Sequence, residues 1–152
     1  MLNTVASLLK QKEKSELVAV GPSASVADAV RAMNDENVGA VLVMDGQNLV
    51  GIFTERDVMV RIVGAKRDAS ATLVSEVMTA TVRTIEPTST PDDALRLMSD
   101  RRHRHLPVVE NGRVHGLISI GDVTRWYIRS QQQQVDFALR AVKQMGMSNR
   151  RG

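Results

Sequence analysis

Sliding the 152-residue sequence over itself by 65 positions brings ten identities into order without a gap. Pro22 falls on Pro87. Asp28, Ala29, Arg31, Met33 and Asp35 fall on Asp93, Ala94, Arg96, Met98 and Asp100, and Val43, Gly51, Asp57 and Val58 fall on Val108, Gly116, Asp122 and Val123. A chain of this length fits one compact domain, or two small repeats sharing one core. With 43% hydrophobic but only 3% aromatic residues, that core is filled by aliphatic side chains and methionine.

Both copies read as β-α-β-β-α. Short apolar strands at 17–20 and 82–85 end at Pro22 and Pro87. Ser25 and Thr90 then stand as N-caps three residues before Asp28 and Asp93, and Pro91 occupies a first helical position where its missing N–H costs nothing. The apolar positions Val26, Ala29, Val30 and Met33 recur as Pro91, Ala94, Leu95 and Met98, the i, i+3, i+4, i+7 spacing of one helix face. Two hairpins follow, 40–44 with 49–54 around Asp45-Gly46 and 105–109 with 114–119 around Asn111-Gly112. Second helices are expected to start at Glu55 and Ile120. The second of these runs on past Trp126 and Gln131 towards Met145, with Gly146 and Asn149 ending the pattern. The expected domains are a helical segment (1–16), the first repeat and linker (17–71), the second repeat (72–130) and a helical extension and tail (131–152).

Several function classes are disfavoured. The chain has no cysteine, hence no disulfide framework, thiolate metal site or cysteine nucleophile. Residues 2–9 are too short for a signal peptide, and no uncharged run approaches the roughly 20 residues of a membrane span, so a cytoplasmic protein is expected. No Gly-x-Gly-x-x-Gly or Walker A pattern occurs and no catalytic triad assembles, which argues against an enzyme. His103, His105 and His115 lack neighbouring ligands of metal-site spacing, so no metal is expected. The net charge of +3 is concentrated from Gly121 onward, where six basic residues face two acidic ones. Elsewhere the chain is near neutral, which speaks against a general nucleic-acid binder.

The duplicated unit resembles the cystathionine β-synthase-type (CBS) domain pair, or Bateman module, across about residues 17–130. Gly51-Ile52-Phe53-Thr54-Glu55-Arg56-Asp57 and Gly116-Leu117-Ile118-Ser119-Ile120-Gly121-Asp122 match that family's Gly-h-h-(Ser/Thr)-x-x-Asp signature. Ser75-Glu76-Val77-Met78-Thr79 is similar to its lead into a second repeat, and Arg104-His105-Leu106-Pro107-Val108 to its basic-basic-h-Pro-Val strand. The resemblance implies an α/β (α+β) fold of two repeats related by a pseudo-twofold axis, with a short N-terminal and a long C-terminal helix.

A hydroxyl at a helix N-terminus suits an anion, and a carboxylate one turn on suits the vicinal hydroxyls of a ribose. A plain capping box gives the same pattern, and a single copy would favour it; the duplicated family context favours the ligand reading. The resemblance then implies two clefts. Thr54, Arg56 and Asp57 would share one with Thr84, Arg104, His105, Leu106 and Pro107; Ser119, Gly121 and Asp122 would share the other with Ala19, Gly39 and Ala40. Within the basic run Arg101-Arg102-His103-Arg104-His105, Arg104 and His105 make the Asp57 side the expected phosphate site, because Arg is the natural bidentate partner of phosphate, while Arg101 reads as a solvated face and Arg102 and His103 stay open. The second side would face the small, neutral Val38-Gly39-Ala40.

The implied ligand is an adenosine nucleotide, with AMP leading and ADP, ATP or NAD(H) as further members. S-adenosylmethionine fits the basic run less well. The implied role is a non-catalytic sensor, a homodimer signalling to a protein target in trans, without membrane contact. A dimerisation scaffold with empty sites, and a nucleic-acid binder using the basic C-terminal helix, are the alternatives. Trp126 and Tyr127 are read as packing residues before ligand-stacking ones.

Overall fold

The computed structural model describes residues 3–12, 17–101 and 103–148. The elements run α1 (Val5–Lys10), β1 (Ala19–Val20), α2 (Val26–Glu36), β2 (Ala40–Asp45), β3 (Asn48–Thr54) and α3 (Glu55–Asp57). After these come α4 (Val74–Val77), α5 (Pro91–Arg101), β4 (His105–Glu110), β5 (Arg113–Ser119) and α6 (Ile120–Ser148). The first sheet is mixed, with β1 parallel to β2 and β2 antiparallel to β3. The second is the β4–β5 hairpin, onto which Ile85 adds one parallel bridge to Val108. Under the repeat shift that bridge is the counterpart of the Val20–Val43 pair of the first sheet, so the register repeats even where the strand does not. The expected strands at 17–20 and 82–85 are thus a two-residue strand and a single bridge.

Strand alternation divides the interior into three parts. Val41, Val43 and Phe53 turn to α2 and form the first repeat's core with Val26, Ala29 and Met33. Leu106, Val108 and Ile118 do the same against Ala94 and Met98. The opposite faces of the sheets meet each other, where Ala40, Leu42 and Ile52 pack on Val114 and Leu117. A sheet buried on both faces needs near-continuous apolar runs, which is what 40–43 and 106–109 supply. Each fully buried aliphatic side chain stabilises the fold by about 1.5–3 kcal/mol.

The two short helices are exchanged between the repeats. α1, which precedes the first repeat, puts Val5 and Leu8 into the second repeat's core; α4, which precedes the second, puts Val74 and Val77 into the first's. The backbone bonds match. Val5 and Ala6 donate to the Ser89 and Pro87 carbonyls, and Val74 and Ser75 donate to those of Ala24 and Pro22, which are the counterparts of Ser89 and Pro87 in the first repeat. Both glycines of the repeated signature sit under this cover. A Cβ on Gly116 would lie 2.8 Å from Leu9 Cδ2, and one on Gly51 would lie 3.1 Å from the Thr79 carbonyl oxygen and press on Met78.

Three local expectations change. The first hairpin pairs Asp45 with Asn48, so its loop is Gly46-Gln47, with Gly46 at φ 59°. The helix from Glu55 widens after one turn into π-helical geometry over Val58–Val63, where Gly64 N–H reaches the Met59 carbonyl (2.8 Å). Four β-branched residues in six weaken regular helix there. Finally, α6 continues through Gly146 to Ser148, because a lone glycine in an exposed helix costs only about 1 kcal/mol. Asn149 lies outside the described residues. No helix among the described residues is long and apolar enough to cross a membrane.

Candidate functional site

Both signature motifs end a strand and open a helix, and both close a capping box. Asp57 N–H donates to Thr54 Oγ1 (3.3 Å), while Thr54 N–H (2.9 Å) and its hydroxyl (3.1 Å) donate to Asp57 Oδ2. Asp122 N–H donates to Ser119 Oγ (3.2 Å), and Ser119 N–H donates to Asp122 Oδ2 (2.8 Å). The α2 and α5 caps differ from each other. Thr90 and Asp93 form a full box, whereas Ser25 only accepts from Asp28 N–H, and the Asp28 carboxylate turns to Arg31.

A cleft of about 820 Å³ opens between the repeats on the Asp122 side. Ser119 and Asp122 form one wall and Gly39 and Ala40 another. Leu17, Val18, Val38, Leu117 and Trp126 supply apolar lining, and α1 contributes Leu8, Leu9 and, just past its end, Gln11 and Lys12. Trp126 stands edge-on to Tyr127, with ring centroids 5.1 Å apart, and both rings also pack on the second repeat's core.

The cleft is charged in a way the motifs did not suggest. Lys12 Nζ lies 3.0 Å from Asp122 Oδ2 and donates to the Leu117 carbonyl (2.8 Å). Arg125 donates to Asp122 Oδ1 (2.6 Å), and Arg129 lines the same cleft. Gly121 makes room for this, since a Cβ there would lie 3.3 Å from the Arg125 guanidinium. The Asp122 side chain is only 5% exposed. Burial by itself would raise its pKa, but the Ser119 N–H, the Lys12 ammonium and Arg125 outweigh that and hold it below the usual carboxylate range.

His105 also lines this cleft, not one shared with Asp57 as the sequence suggested. The reason is register: His105 pairs with Ser119 across the β4–β5 ladder, which places it at the Asp122 end of its own sheet. From there its ring faces Gly39 and Glu55 of the first repeat, with Nε2 3.5 Å from a Cβ built on Gly39. Burial lowers its pKa; Glu55 and Asp122 pull the other way, and Lys12 and Arg104 reinforce the lowering.

The remaining expected residues are spread more widely. Leu106 is fully buried among the second repeat's core side chains and Pro107 is buried beside it, so neither presents a side chain to a ligand. Arg56, Thr84 and Arg104 are exposed. Ala19 lines a separate shallow hollow of about 330 Å³ with Leu17, Val18, Ala32, Asp35 and Glu36. Asp57 has Arg61 for a neighbour, Oδ1 to Nε 3.6 Å, while the Arg61 guanidinium donates to the Val77 and Met78 carbonyls. Arg102 and the Arg101 side chain lie outside the described residues. Among the described residues no group of three or more acidic or histidine side chains is placed to hold a metal ion.

Sequence reasoning missed Lys12, Arg125 and Arg129. Arg125 had a signal, being one turn beyond Asp122 on the same helix. Lys12 had none, because it stands near the other end of the sequence from Asp122 and lies outside the repeated unit.

Comparison with known proteins agrees with this architecture. The CBS domain family model matches residues 12–64 and 74–129. A CBS domain-containing protein of Arabidopsis thaliana, the mitochondrial CBSX3, is 34% identical over 140 residues, covering 87% of this chain and 68% of its own length. The structure of a CBS-domain protein from Burkholderia ambifaria MC40-6, for which a role in signal transduction has been suggested, is 42% identical. It superposes with a TM-score of 0.81, covering 84% of this chain and 96% of that one. The CBS domain pair of protein MJ0100, solved with 5′-methylthioadenosine and S-adenosyl-L-methionine, shares the fold at 22% identity and a TM-score of 0.74, covering 86% of this chain and 99% of that one. Two family matches in tandem, on two repeats that exchange helices around an inter-repeat cleft, establish that this chain belongs to the CBS-domain family as a tandem pair.

Proposed function

We propose that the protein is a non-catalytic sensor that binds an adenosine-containing nucleotide in the cleft beside Asp122. The observation that carries this reading is the cleft itself. It is large enough for a nucleotide, has apolar walls for a flat base, and puts a buried carboxylate at a helix start where ribose hydroxyls can reach it. The adenosyl ligands of the MJ0100 pair support the ligand class. AMP leads, followed by ADP, ATP and NAD(H). The Asp57 side, with Thr54, Arg56, Thr84 and Arg104, is the weaker candidate, because none of these residues lines the large cleft.

Occupancy ties the two repeats together and shifts the balance between two arrangements that a protein target in trans can read. A homodimer fits the exposed apolar side chains of α6, where Ile128, Val135 and Val142 recur at heptad spacing beside Met145. Calorimetric titration of the full chain with AMP, ADP, ATP and NAD tests the ligand. Saturation at 100 times the dissociation constant should stabilise the fold by about 2.7 kcal/mol. The absence of both heat and thermal stabilisation with all four would favour the empty scaffold.

A further inference from the structure

Lys12 and Arg125 meet on one carboxylate. They approach opposite oxygens of Asp122, at 3.0 Å and 2.6 Å, so the two cations converge within the width of a single anionic group. Asp122 Oδ2 also accepts the Ser119 N–H of the cap. With these bonds made, the carboxylate that should receive a ribose is already occupied from both sides. Lys12 is further anchored by the Leu117 carbonyl and is 27% exposed; Arg125 is 62% exposed and needs only a side-chain rotation to leave.

The arrangement is absent from the other half. Under the repeat shift Arg125 corresponds to Val60 and Arg129 to Gly64. Lys12 comes from the exchanged N-terminal segment. There the backbone bonds set Val5 of α1 opposite Val74 of α4, and counting on from that pair puts Thr81 opposite Lys12. The cations are therefore additions to the duplicated unit: Lys12 and Arg125 meet on one of its two carboxylates, and Arg129 lines the same cleft.

We infer that Lys12, with Arg125, is the specificity-determining group of the Asp122 cleft, exchanging its internal carboxylate for the phosphate of an adenosine nucleotide. The inference rests on the nucleotide-binding reading above and deepens it. In the free protein Asp122 stands in for the ligand's anion. A ligand with ribose hydroxyls but no phosphate takes Asp122 and leaves the partly buried Lys12 without its counter-charge, which is unfavourable, while the exposed Arg125 turns to solvent. A ligand carrying both satisfies both halves at once, with charge-assisted hydrogen bonds from Lys12 and Arg125 to phosphate oxygens. A sulfonium-bearing adenosyl ligand adds a third positive centre to the same place. The site is thereby selective for phosphate, on the side that the strand sequence alone would have left neutral.

The test is calorimetry of the full-length chain with AMP and with adenosine at fixed ionic strength, on the parent protein and on Lys12→Gln and Lys12→Arg. The parent should prefer AMP by about tenfold or more, the worth of one charge-assisted hydrogen bond. Lys12→Gln should shrink that preference, with adenosine binding unchanged or tighter because Asp122 is freed, and Lys12→Arg should keep it. An AMP-to-adenosine ratio unchanged in Lys12→Gln, or equal losses for both ligands, would overturn the inference and leave nucleotide binding standing. Absence of binding by either ligand to the parent and both variants would instead remove the nucleotide reading, and this inference with it.

Discussion

Asp57 and Asp122 sit at the same place in the repeated unit and close the same capping box, but their surroundings differ. The Asp57 carboxylate takes both the N–H and the hydroxyl of Thr54, and its remaining oxygen faces Arg61 at 3.6 Å, a guanidinium otherwise held by two backbone carbonyls. Asp122 accepts one cap bond and two cations, under deeper burial, at the edge of a nucleotide-sized cleft. The duplication supplied two equivalent carboxylates, each with an arginine one turn further along. What separates them is that Arg125 turns fully onto Asp122 while Arg61 is held mainly by backbone carbonyls, and that Asp122 also receives Lys12, from just past the end of the helix in the other repeat's lead-in. The capping box positions the carboxylate in both repeats, and the neighbours decide what else it can meet.

The comparison can be broken most directly at the two carboxylates. Asp122→Ala should abolish measurable AMP binding by calorimetry, while Asp57→Ala should retain it at a cost of about 1 kcal/mol in urea denaturation, the worth of a cap. Loss of binding in Asp57→Ala alone would reverse the assignment of sites.

The exchanged helices offer a second comparison. Leu8→Ala, in α1, should destabilise the second repeat's core by about 2–5 kcal/mol, although it lies before the first repeat in sequence. Amide exchange should show the loss of protection concentrated in β4 and β5. An effect confined to the first repeat would contradict the exchange.

The signature glycines sharpen the same point. Gly51→Ala should cost about 1–3 kcal/mol, since its Cβ meets the Thr79 backbone. Gly116→Ala should cost less, because its Cβ meets only the flexible end of Leu9. Thermal melts of the two variants compare them directly.

The smallest expected effect is in the pH dependence of stability. Burial holds the His105 pKa below its ordinary 6.5, so the unfolded chain binds a proton more readily than the folded one. The corresponding stability is complete above 6.5 and is lost as pH falls from there through the lowered folded value. His105→Gln should flatten the denaturation midpoint across that window. Ala40, which holds the equivalent place in the first repeat, contributes no such slope. Asp122 adds a separate loss at more acid pH, as the medium falls through its depressed value.

Much of the fold was legible because it rests on local chemistry. The apolar faces of α2 and α5, the caps at Ser25, Thr90, Thr54 and Ser119, and the runs that became β2 to β5 all follow from residues within a few positions of one another, and the 65-residue offset sets the repeat register. The sequence determined that Asp57 and Asp122 would stand at helix starts. By resemblance it put His105 in the cleft of Asp57, whereas the ring lines the cleft of Asp122, because that depends on which end of a ladder meets the other repeat. It suggested that the Asp57 side would hold the phosphate, from a basic run that is local and visible. The tertiary structure set Lys12 on Asp122 beside the local Arg125, through a helix exchange that spans the length of the chain. Charge effects are decided by distances of a few ångströms, and only folding brings Lys12 and Asp122 that close.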